Sequence, residues 1–424
     1  MALVGRVLSS VSKRVLRPHF IAIPSNAHRL FCDKQSNPDS LLMNLLQQPK
    51  SSIKPTLDKE NCSLRSSDFS WDLLVTSLKY SSPDKALLVL EWMLEKMLKE
   101  NERDVGLYSE LISLCGKLRN FPLAMHVFTS MEANGVKLTS LVFNSLINAC
   151  WSSNNIRTAF SLFEIMDSSE SYKPNFDTYN IFISAFSNSG NIDAMFTWYS
   201  AKKAAGFPPD LKTFEYVISG CVKSGSFNAA DRIYEEMMES GIVPSNFILE
   251  NMLEGLCRQK SLGQVVEFFK FLLDGGWEIN ENMIEKVIGL YLELGKVEEI
   301  EELLETSIKS NQDASVLSRI HCGIIRMYAM LDRLDDVEYA VGRMMTEGLS
   351  FICADDVERV ICSYFRRAAY DRLDLFLGHI KGCYTLTRST YDLLISGYRR
   401  ASLLEKVDLL MKDMKLAGFS KLPA

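Results

Sequence analysis

The chain repeats one pattern of about 35 residues, and this periodicity limits the folds open to it more than any other feature. Two copies stand out between Leu141 and Asp210. One reads FNSLINACWSSNNIRTAFSLFEIM and continues to KPN, and the next reads YNIFISAFSNSGNIDAMFTWY and continues to PPD. Each copy opens on an aromatic–Asn pair and carries Asn or Gly at a central turn. A repeat of this length predicts a pair of short helices that buries its apolar face by stacking on neighbouring pairs.

Nine copies follow when each repeat begins three residues before its opening aromatic or aliphatic position. The spacings run from 34 to 37 residues, and the starts are Val105, Ser140, Phe176, Leu211, Asn246, Glu281, Ser318, Ala354 and Arg388. The seventeenth position should open the second helix, and it reads Phe121, Ile156, Ile192, Phe227, Leu262, Val297, Leu334, Tyr370 and Leu404. Together with the twenty-fourth position it is apolar in all 18 cases, where a chain that is 47% hydrophobic would give about 8 or 9.

The repeat resembles the pentatricopeptide family. The residues that carry the resemblance are YNIFISAFSNSGNIDAM in the third repeat, FNSLINAC in the second and EEMMESGIVPS at the close of the fourth. The tetratricopeptide pattern has a similar period, but its W-x-x-L-G-x-x-Y opening is missing here. The resemblance covers roughly residues 105–418 and indicates the plain, repeat-only class found in plant organelles. It implies an all-α, right-handed α-solenoid of about nine helix-turn-helix repeats plus a degenerate N-terminal capping pair.

The segments outside the repeats differ in composition. Residues 1–31 hold five basic residues and no acidic one, which is typical of an organellar transit peptide, and Arg29 stands three residues before Cys32 as at a mitochondrial processing site. We expect a mitochondrial location, with the chloroplast as the alternative. Residues 32–66 are rich in Ser, Asn, Lys and Pro and are predicted to be a disordered linker. Residues 67–104 are predicted to form the capping helix pair, and residues 419–424 a tail.

The cysteine and histidine pattern does not indicate an enzyme. No Cys-x-x-Cys occurs, so neither a zinc site nor the cytidine deaminase domain of some family members is expected. Cys115, Cys150 and Cys221 share the eleventh position of their repeats, which predicts core packing. His321 and Cys322 are adjacent, and neighbouring residues on a helix face apart. We therefore expect no catalytic residues, no metal and no cofactor.

In the family that the repeats resemble, one repeat reads one base of single-stranded RNA through its fifth and last residues. We call these two residues the base-reading pair. Carried over to this chain, the pairs are Ser109 with Thr139, Asn144 with Asn175, and Asn180 with Asp210. The family rule leaves the first ambiguous and makes the other two pyrimidine readers, the third favouring uracil. Leu141, a second-position residue, is expected to wedge between bases, whereas Gly106, Asp177 and Lys212 do not fit that role.

Beyond the third repeat the fifth position is mostly acidic, which leaves two interpretations open. Residues 211–315 carry 19 acidic and 9 basic residues, and such an acidic segment is expected to bind the phosphate backbone of RNA poorly. Lys117, Lys223 and Arg258 share the thirteenth position and are possible phosphate contacts. Glu215, Glu250 and Glu285 recur every 35 residues and could form an acidic ridge facing a basic protein or ribonucleoprotein, for example the organellar ribosome. The alternative function is therefore a protein-binding solenoid. We expect a monomer with no membrane contact.

Overall fold

The computed structural model describes residues 38–64, 69–296, 299–309 and 314–419, and this part of the chain is α-helical without strands. Four helices precede the first predicted repeat: α1 (Pro38–Gln47), α2 (Ile53–Leu64), α3 (Trp71–Ser81) and α4 (Pro83–Lys99). The repeats then supply the helices α5 (Val105–Lys117), α6 (Phe121–Ala133), α7 (Ser140–Ser152), α8 (Ile156–Asp167), α9 (Phe176–Ser189), α10 (Ile192–Ala204), α11 (Leu211–Lys223), α12 (Phe227–Glu239), α13 (Asn246–Arg258), α14 (Leu262–Asp274), α15 (Glu281–Leu294), α16 (Ile300–Lys309), α17 (Ala314–Met330), α18 (Leu334–Thr346), α19 (Ala354–Arg366), α20 (Tyr370–Ile380), α21 (Arg388–Arg400) and α22 (Leu404–Leu416).

The predicted register is confirmed by the helix boundaries. Eight of the nine predicted repeat starts are the first residue of a helix; the exception is α17, which begins at Ala314, four residues before Ser318. The seventeenth position opens the second helix in every repeat but the sixth, where Val297 lies outside the described residues and α16 begins at Ile300.

The turn between the two helices has the same backbone conformation in all nine repeats. The fifteenth residue of each repeat has a positive φ between 51° and 77°. Only three of the nine residues are glycine; the column reads Arg119, Asn154, Gly190, Gly225, Lys260, Gly295, Asp332, Ala368 and Ser402. A left-handed residue ends the first helix and reverses the chain so that the second helix packs back on the first. The repeat therefore preserves a backbone conformation more strictly than a residue type.

The chain divides within α11 into two compact units, one ending at Gly220 and the other beginning at Cys221. In each unit the first helix of a repeat packs on the first helix of the next, as α5 does on α7 and α17 does on α19. Gly116 shows how closely they approach, since a Cβ there would lie 2.9 Å from the Cα of Ala149. Each unit is thus an all-α stack of helix pairs, the arrangement of an α-solenoid.

The prediction that residues 32–66 form a disordered linker is wrong for residues 38–64. These residues form α1 and α2, which pack on α3 and α4 and bury Leu41, Leu45, Ile53 and Leu57. The ammonium of Lys85 donates to the carbonyls of residues 45, 46 and 48 at 3.0, 2.9 and 2.7 Å, which satisfies the C-terminal end of α1. The polar composition concealed two pairs of apolar residues spaced four apart, which is enough for a helix to bury one face.

The other segments outside the repeats are only partly described. Helices α3 and α4 lie within residues 67–104, but α1 and α2 precede them, so this pair is not the first of the stack. Pro83, which occupies the place of an apolar residue, begins α4, where a missing N–H costs nothing. Phe419 packs near Tyr391, with ring centroids 6.0 Å apart. The predicted transit peptide, residues 1–31, lies outside the described residues and stays a prediction, as does the right-handed sense of the solenoid.

Candidate nucleic-acid interface

The base-reading pair of the second repeat is joined by a direct hydrogen bond. Asn144 on α7 donates from Nδ2 to Oδ1 of Asn175 at 3.1 Å. Asn175 caps α9, because its Oδ1 also accepts the backbone N–H of Thr178 at 3.0 Å. The Thr178 hydroxyl, which is fully buried, reaches Oδ1 of Asn144 at 2.8 Å. Asn175, which caps the first helix of the third repeat, therefore holds Asn144 of the second repeat in place.

The base-reading pair of the third repeat has the same arrangement with different chemistry. Asn180 donates from Nδ2 to Oδ1 of Asp210 at 3.2 Å, and Asp210 accepts the backbone N–H of Thr213 at 3.1 Å. The Thr213 hydroxyl reaches Oδ1 of Asn180 at 2.8 Å. Lys202 is an additional member that the second repeat lacks. Its ammonium lies 3.0 Å from Oδ1 of Asn180, 3.1 Å from Oδ1 of Asp210 and 2.6 Å from the Thr213 hydroxyl.

Asp210 stays ionised in this network. Burial favours the neutral acid, but hydrogen bonds from Thr213, Asn180 and Lys202 and the charge of Lys202 outweigh it, so the pKa of Asp210 falls below its ordinary value of 3.8. The Asp210 side chain is 42% exposed, whereas Asn180 is only 5% exposed. The last residue of the pair therefore offers most of the surface that a base could contact, and in the third repeat that surface is a carboxylate.

The two pairs present different hydrogen-bonding groups. A backbone N–H can only donate, so the atom of Asn175 that faces Thr178 must be the oxygen, and its NH2 group faces the other way. The second repeat therefore offers amide donors. The third repeat offers the Asn180 amide donor beside the carboxylate of Asp210, which can only accept. The difference arises at equivalent positions, because Asn175 and Asp210 are each the last residue of their repeat.

The first predicted pair is not joined in this way. The hydroxyls of Ser109 and Thr139 are buried, and neither has a hydrogen-bond partner within the described part of the chain. Leu141, the predicted wedge, is 52% exposed beside Asn144. In the third repeat the exposed apolar side chain is Phe176 at the first position, 48% exposed and one turn before Asn180. Positions one and two flank the fifth residue of a helix, so either can lie beside a base.

The predicted acidic ridge is largely neutralised where its contacts are seen. Glu250 accepts from Asn280 at 3.0 Å and from the Lys286 ammonium at 2.9 Å. It contacts the helix cap Asn280 in the same way that the fifth residue of the second repeat contacts the cap Asn175. Burial raises and these contacts lower the pKa of Glu250, with a net decrease. Glu285 pairs with Arg326 at 2.6 Å. Glu215 belongs to the other compact unit.

The predicted phosphate contacts are engaged within the protein. Lys117 pairs with Asp72. Arg258 donates to the carbonyls of Val222 and Lys223 at the end of α11, and its guanidinium lies 5.6 Å from the Phe227 ring. The thirteenth position thus caps the preceding repeat at this junction, which is a structural role. Contact with phosphate stays a prediction for Lys117, Lys223 and Arg258.

The cysteine prediction is confirmed. Cys115, Cys150 and Cys221 are fully buried, and burial raises the pKa of each thiol to about 12. Across the described ranges, no cluster of three or more His, Cys, Asp and Glu side chains is arranged to hold a metal ion. No described helix is both long and apolar enough to span a membrane.

Sequence reasoning missed Thr178, Thr213 and Lys202. The threonines occupy the third position after the caps Asn175 and Asp210, so the pattern Asx-x-x-Thr was available as a helix-cap signal. Lys202 could be found only by comparing the twenty-seventh position of the repeats, where the other residues are apolar or, in one repeat, a serine.

Known proteins share parts of this architecture. A family model described as pentatricopeptide repeat-containing protein matches residues 105–237, and a PPR repeat model matches residues 389–419. The chloroplastic pentatricopeptide repeat-containing protein PPR5 of Zea mays is 34% identical over 119 residues, which is 26% of this chain and 23% of that protein. The small ribosomal subunit protein mS79 (rPPR3b) of Arabidopsis thaliana is 30% identical over 106 residues, 24% of this chain and 27% of that protein.

The fold also matches a solved structure. The crystal structure of the pentatricopeptide repeat protein PPR10 from maize aligns with a TM-score of 0.59 at 18% identity, covering 91% of this chain and 59% of that chain. The chain thus spans less than two thirds of each of these proteins. The nine repeats in register, the family models and the plant relatives show that the chain belongs to the pentatricopeptide repeat family, in its plant type.

Proposed function

We propose that the chain is a non-catalytic organellar protein that binds single-stranded RNA and reads two adjacent pyrimidines with its second and third repeats. The observation that carries the proposal is the pair of consecutive sites, Asn144 with Asn175 and Asn180 with Asp210, built to one geometry with different hydrogen-bonding groups. Consecutive repeats with one backbone geometry and different polar pairs suit single-stranded RNA, whose nucleotides share one backbone and differ in the hydrogen-bonding edges of their bases. Its biological role would be processing, stability or translation of an organelle transcript.

The chemistry of each pair favours a particular base. Cytosine carries two adjacent acceptors, N3 and O2, which match the amide donors of Asn175 and Asn144. Uracil carries an N3–H donor between two carbonyl acceptors. The carboxylate of Asp210 matches that N3–H, and the Asn180 amide matches a neighbouring carbonyl. We therefore expect cytosine at the second repeat and uracil at the third, with Leu141 packing against a base face.

The test is selection from a random single-stranded RNA pool by residues 32–424 at physiological salt, followed by measured affinities for the enriched sequence. We expect a short motif that contains adjacent pyrimidines. The Asn144→Ala, Asn180→Ala double variant should lose that enrichment while its helical content and melting temperature stay near those of the wild type. A wild-type chain that enriches nothing, or weak binding that the double variant shares equally, would remove the proposal.

A mitochondrial location is part of the proposal, and the basic, acid-free residues 1–31 support it. The Zea mays relative is chloroplastic, so the chloroplast is the alternative. Fusing residues 1–66 to a fluorescent protein in plant cells distinguishes the two organelles. Fluorescence that stays in the cytosol would contradict both.

A second candidate function is protein binding through the acidic fifth-position residues, Glu215 in one compact unit and Glu250 and Glu285 in the other. The ribosomal relative favours this candidate. The pairing of Glu250 with Lys286 and of Glu285 with Arg326 weighs against it, because these carboxylates are compensated internally. Reversing both charges, Glu250→Lys with Glu285→Lys, tests the ridge: loss of co-purifying organellar ribosomal subunits with RNA binding retained would favour the second candidate over the first.

A further inference from the structure

One buried position in the repeat is apolar or small everywhere except in the third repeat. The twenty-seventh residue lies on the second helix and is at most 3% exposed in all nine repeats. The column reads Met131, Met166, Lys202, Met237, Leu272, Ser307, Met344, Ile380 and Met414. A lysine in such a position is costly unless its charge and all its donors are satisfied. Its presence calls for a specific reason.

Lys202 is satisfied by the base-reading pair of its own repeat together with the threonine that follows the cap Asp210. Its three ammonium protons face three oxygens: Oδ1 of Asn180, Oδ1 of Asp210 and the Thr213 hydroxyl, at 3.0, 3.1 and 2.6 Å. Its side chain is 0% exposed, so this charge is not available to phosphate. The lysine therefore acts on RNA only through the residues it holds.

The lysine reinforces an orientation of Asn180 that the Asp210 carboxylate already favours, because a carboxylate can only accept and so faces the NH2 group of Asn180. The Thr213 hydroxyl has one proton but lies within hydrogen-bonding range of Oδ1 of both Asn180 and Asp210. An ammonium can only donate, so it requires the oxygen of Asn180 to face inward and the NH2 group to face the carboxylate and the base. It also balances the charge of Asp210 at a site that an anionic polymer must approach.

We propose that Lys202 is a specificity-determining residue, which fixes the third repeat in the donor-plus-carboxylate state that accepts uracil and disfavours cytosine. The inference rests on the proposed function and deepens it. Lys202 is a positioning residue rather than a contact residue, because it is buried and acts through Asn180 and Asp210. The second repeat has Met166 at the equivalent place and an uncharged Asn175, which agrees with the requirement for a cation only where the pair contains a carboxylate.

The test compares the full wild-type chain with Lys202→Met in selection from a random single-stranded RNA pool, followed by affinities for four RNAs that differ only at the base read by the third repeat. Methionine occupies this position in five other repeats, so the variant has a suitable side chain for the site. We expect the uracil-over-cytosine ratio to fall about fivefold or more, with preferences at other positions unchanged. The control, Met166→Leu, is a volume-conserving change at the same position of the second repeat and should leave every preference unchanged.

The outcomes separate this inference from the function on which it rests. A wild-type chain that enriches no motif removes both. A wild-type motif with uracil at the third repeat, and the same uracil-over-cytosine ratio in a folded Lys202→Met variant, removes the role of Lys202 alone. If that variant does not fold, transplanting the network decides: Met166→Lys with Asn175→Asp should give the second repeat a stronger uracil preference than Asn175→Asp alone, and an equal preference would overturn the inference.

Discussion

At the turn inside each repeat, residues that differ widely in their preference for a positive φ all adopt the same left-handed conformation. Glycine accepts a positive φ without cost and asparagine tolerates it, whereas a residue with an ordinary Cβ loses about 1 kcal/mol there. Ala368, with φ 51°, has a Cβ but no side chain that could form a local hydrogen bond. Residue-scale strain of this kind is retained because the surrounding helices fix the turn.

Replacing Ala368 by glycine should therefore raise the free energy of unfolding by about 0.5 to 1 kcal/mol. Denaturant unfolding followed by circular dichroism measures the change. Asn154→Gly is the matched control at the same turn of the second repeat and should have a smaller effect. A destabilised Ala368→Gly variant would contradict the strain argument.

The lowered pKa of Asp210 predicts an acid-dependent contribution to stability. In the unfolded chain the carboxyl takes up a proton near its ordinary pKa of 3.8, and in the folded chain only at lower pH. The contribution is therefore fully present above about pH 5 and is lost as the pH falls from there towards the folded pKa. Thermal melts between pH 3 and pH 6 should show a shallower loss of melting temperature in Asp210→Asn than in the wild type. Asp177→Asn, on the exposed face of α9, should follow the wild-type curve.

At the scale of helices, the stack is held by apolar packing together with charge pairs that cross from one repeat to the next. In the C-terminal unit, buried tyrosines of the eleventh position donate to carboxylates of the preceding repeat: Tyr364 to Glu338 at 3.1 Å, and Tyr398 to Asp374 at 2.7 Å. Arg372 and Lys406 then pair with these same carboxylates. Part of the acidity of the second helices is therefore structural, and only the remainder is available to a partner.

Helices α1 and α2 should stabilise the N-terminal unit. Leu45→Ala removes a fully buried side chain and should cost about 2 to 4 kcal/mol in that unit. Hydrogen exchange should show α3 and α4 opening more readily. Met43→Ala, on the same helix but 56% exposed, is the control and should change little. Equal protection of α3 in both variants would show that α1 does not support the stack.

Arg326 joins three repeats through two carboxylates, and its removal should be costly. Its guanidinium contacts Glu285 at 2.6 Å and Asp356 at 2.7 Å, and the Asp356 side chain is only 4% exposed. Arg326→Ala leaves that carboxylate buried without its cationic partner, with the Cys353 thiol still donating to it, and we expect this loss to cost about 3 kcal/mol or more in denaturant unfolding. Arg359→Ala, which breaks only the exposed pair with Asp355, should stay within about 0.5 kcal/mol.

For the whole molecule, the distribution of charge limits how RNA could be held. Residues 105–210, which contain the predicted base-reading pairs, carry 7 basic and 8 acidic residues, and the buried Lys202 is one of the seven. Lys117 and Arg258 are engaged with protein oxygens. Affinity would then come more from base contacts than from phosphate contacts.

We accordingly expect a weak salt dependence of RNA binding, with log K falling against log salt at a slope no steeper than about −2, as for roughly three phosphate contacts. Fluorescence anisotropy of the selected RNA from 50 to 300 mM salt measures it. A slope near −5 would instead indicate a basic surface that the described residues do not suggest.

The sequence by itself determined the repeat length, the register and the all-α class, because these depend on apolar positions that recur at a fixed spacing, above all the seventeenth and twenty-fourth of each repeat. The resemblance to a family also predicted Asn144, Asn175, Asn180 and Asp210 as base-reading residues. The structure brings these four residues together as two hydrogen-bonded pairs. The repeat length, the register and the two pairs can be predicted from the sequence because each depends on positions within one repeat.

Only the tertiary structure decided which side chains meet between helices, within a repeat and across repeats. Lys202 lies 22 residues from Asn180 and Lys286 lies 36 residues from Glu250, and neither contact follows from periodicity alone. The same limit hid α1 and α2, whose few apolar residues become significant only when α3 and α4 offer a surface to cover. Contacts between repeats depend on side-chain conformations and on the free energy of burying charge, which are properties of the packed stack rather than of any one segment.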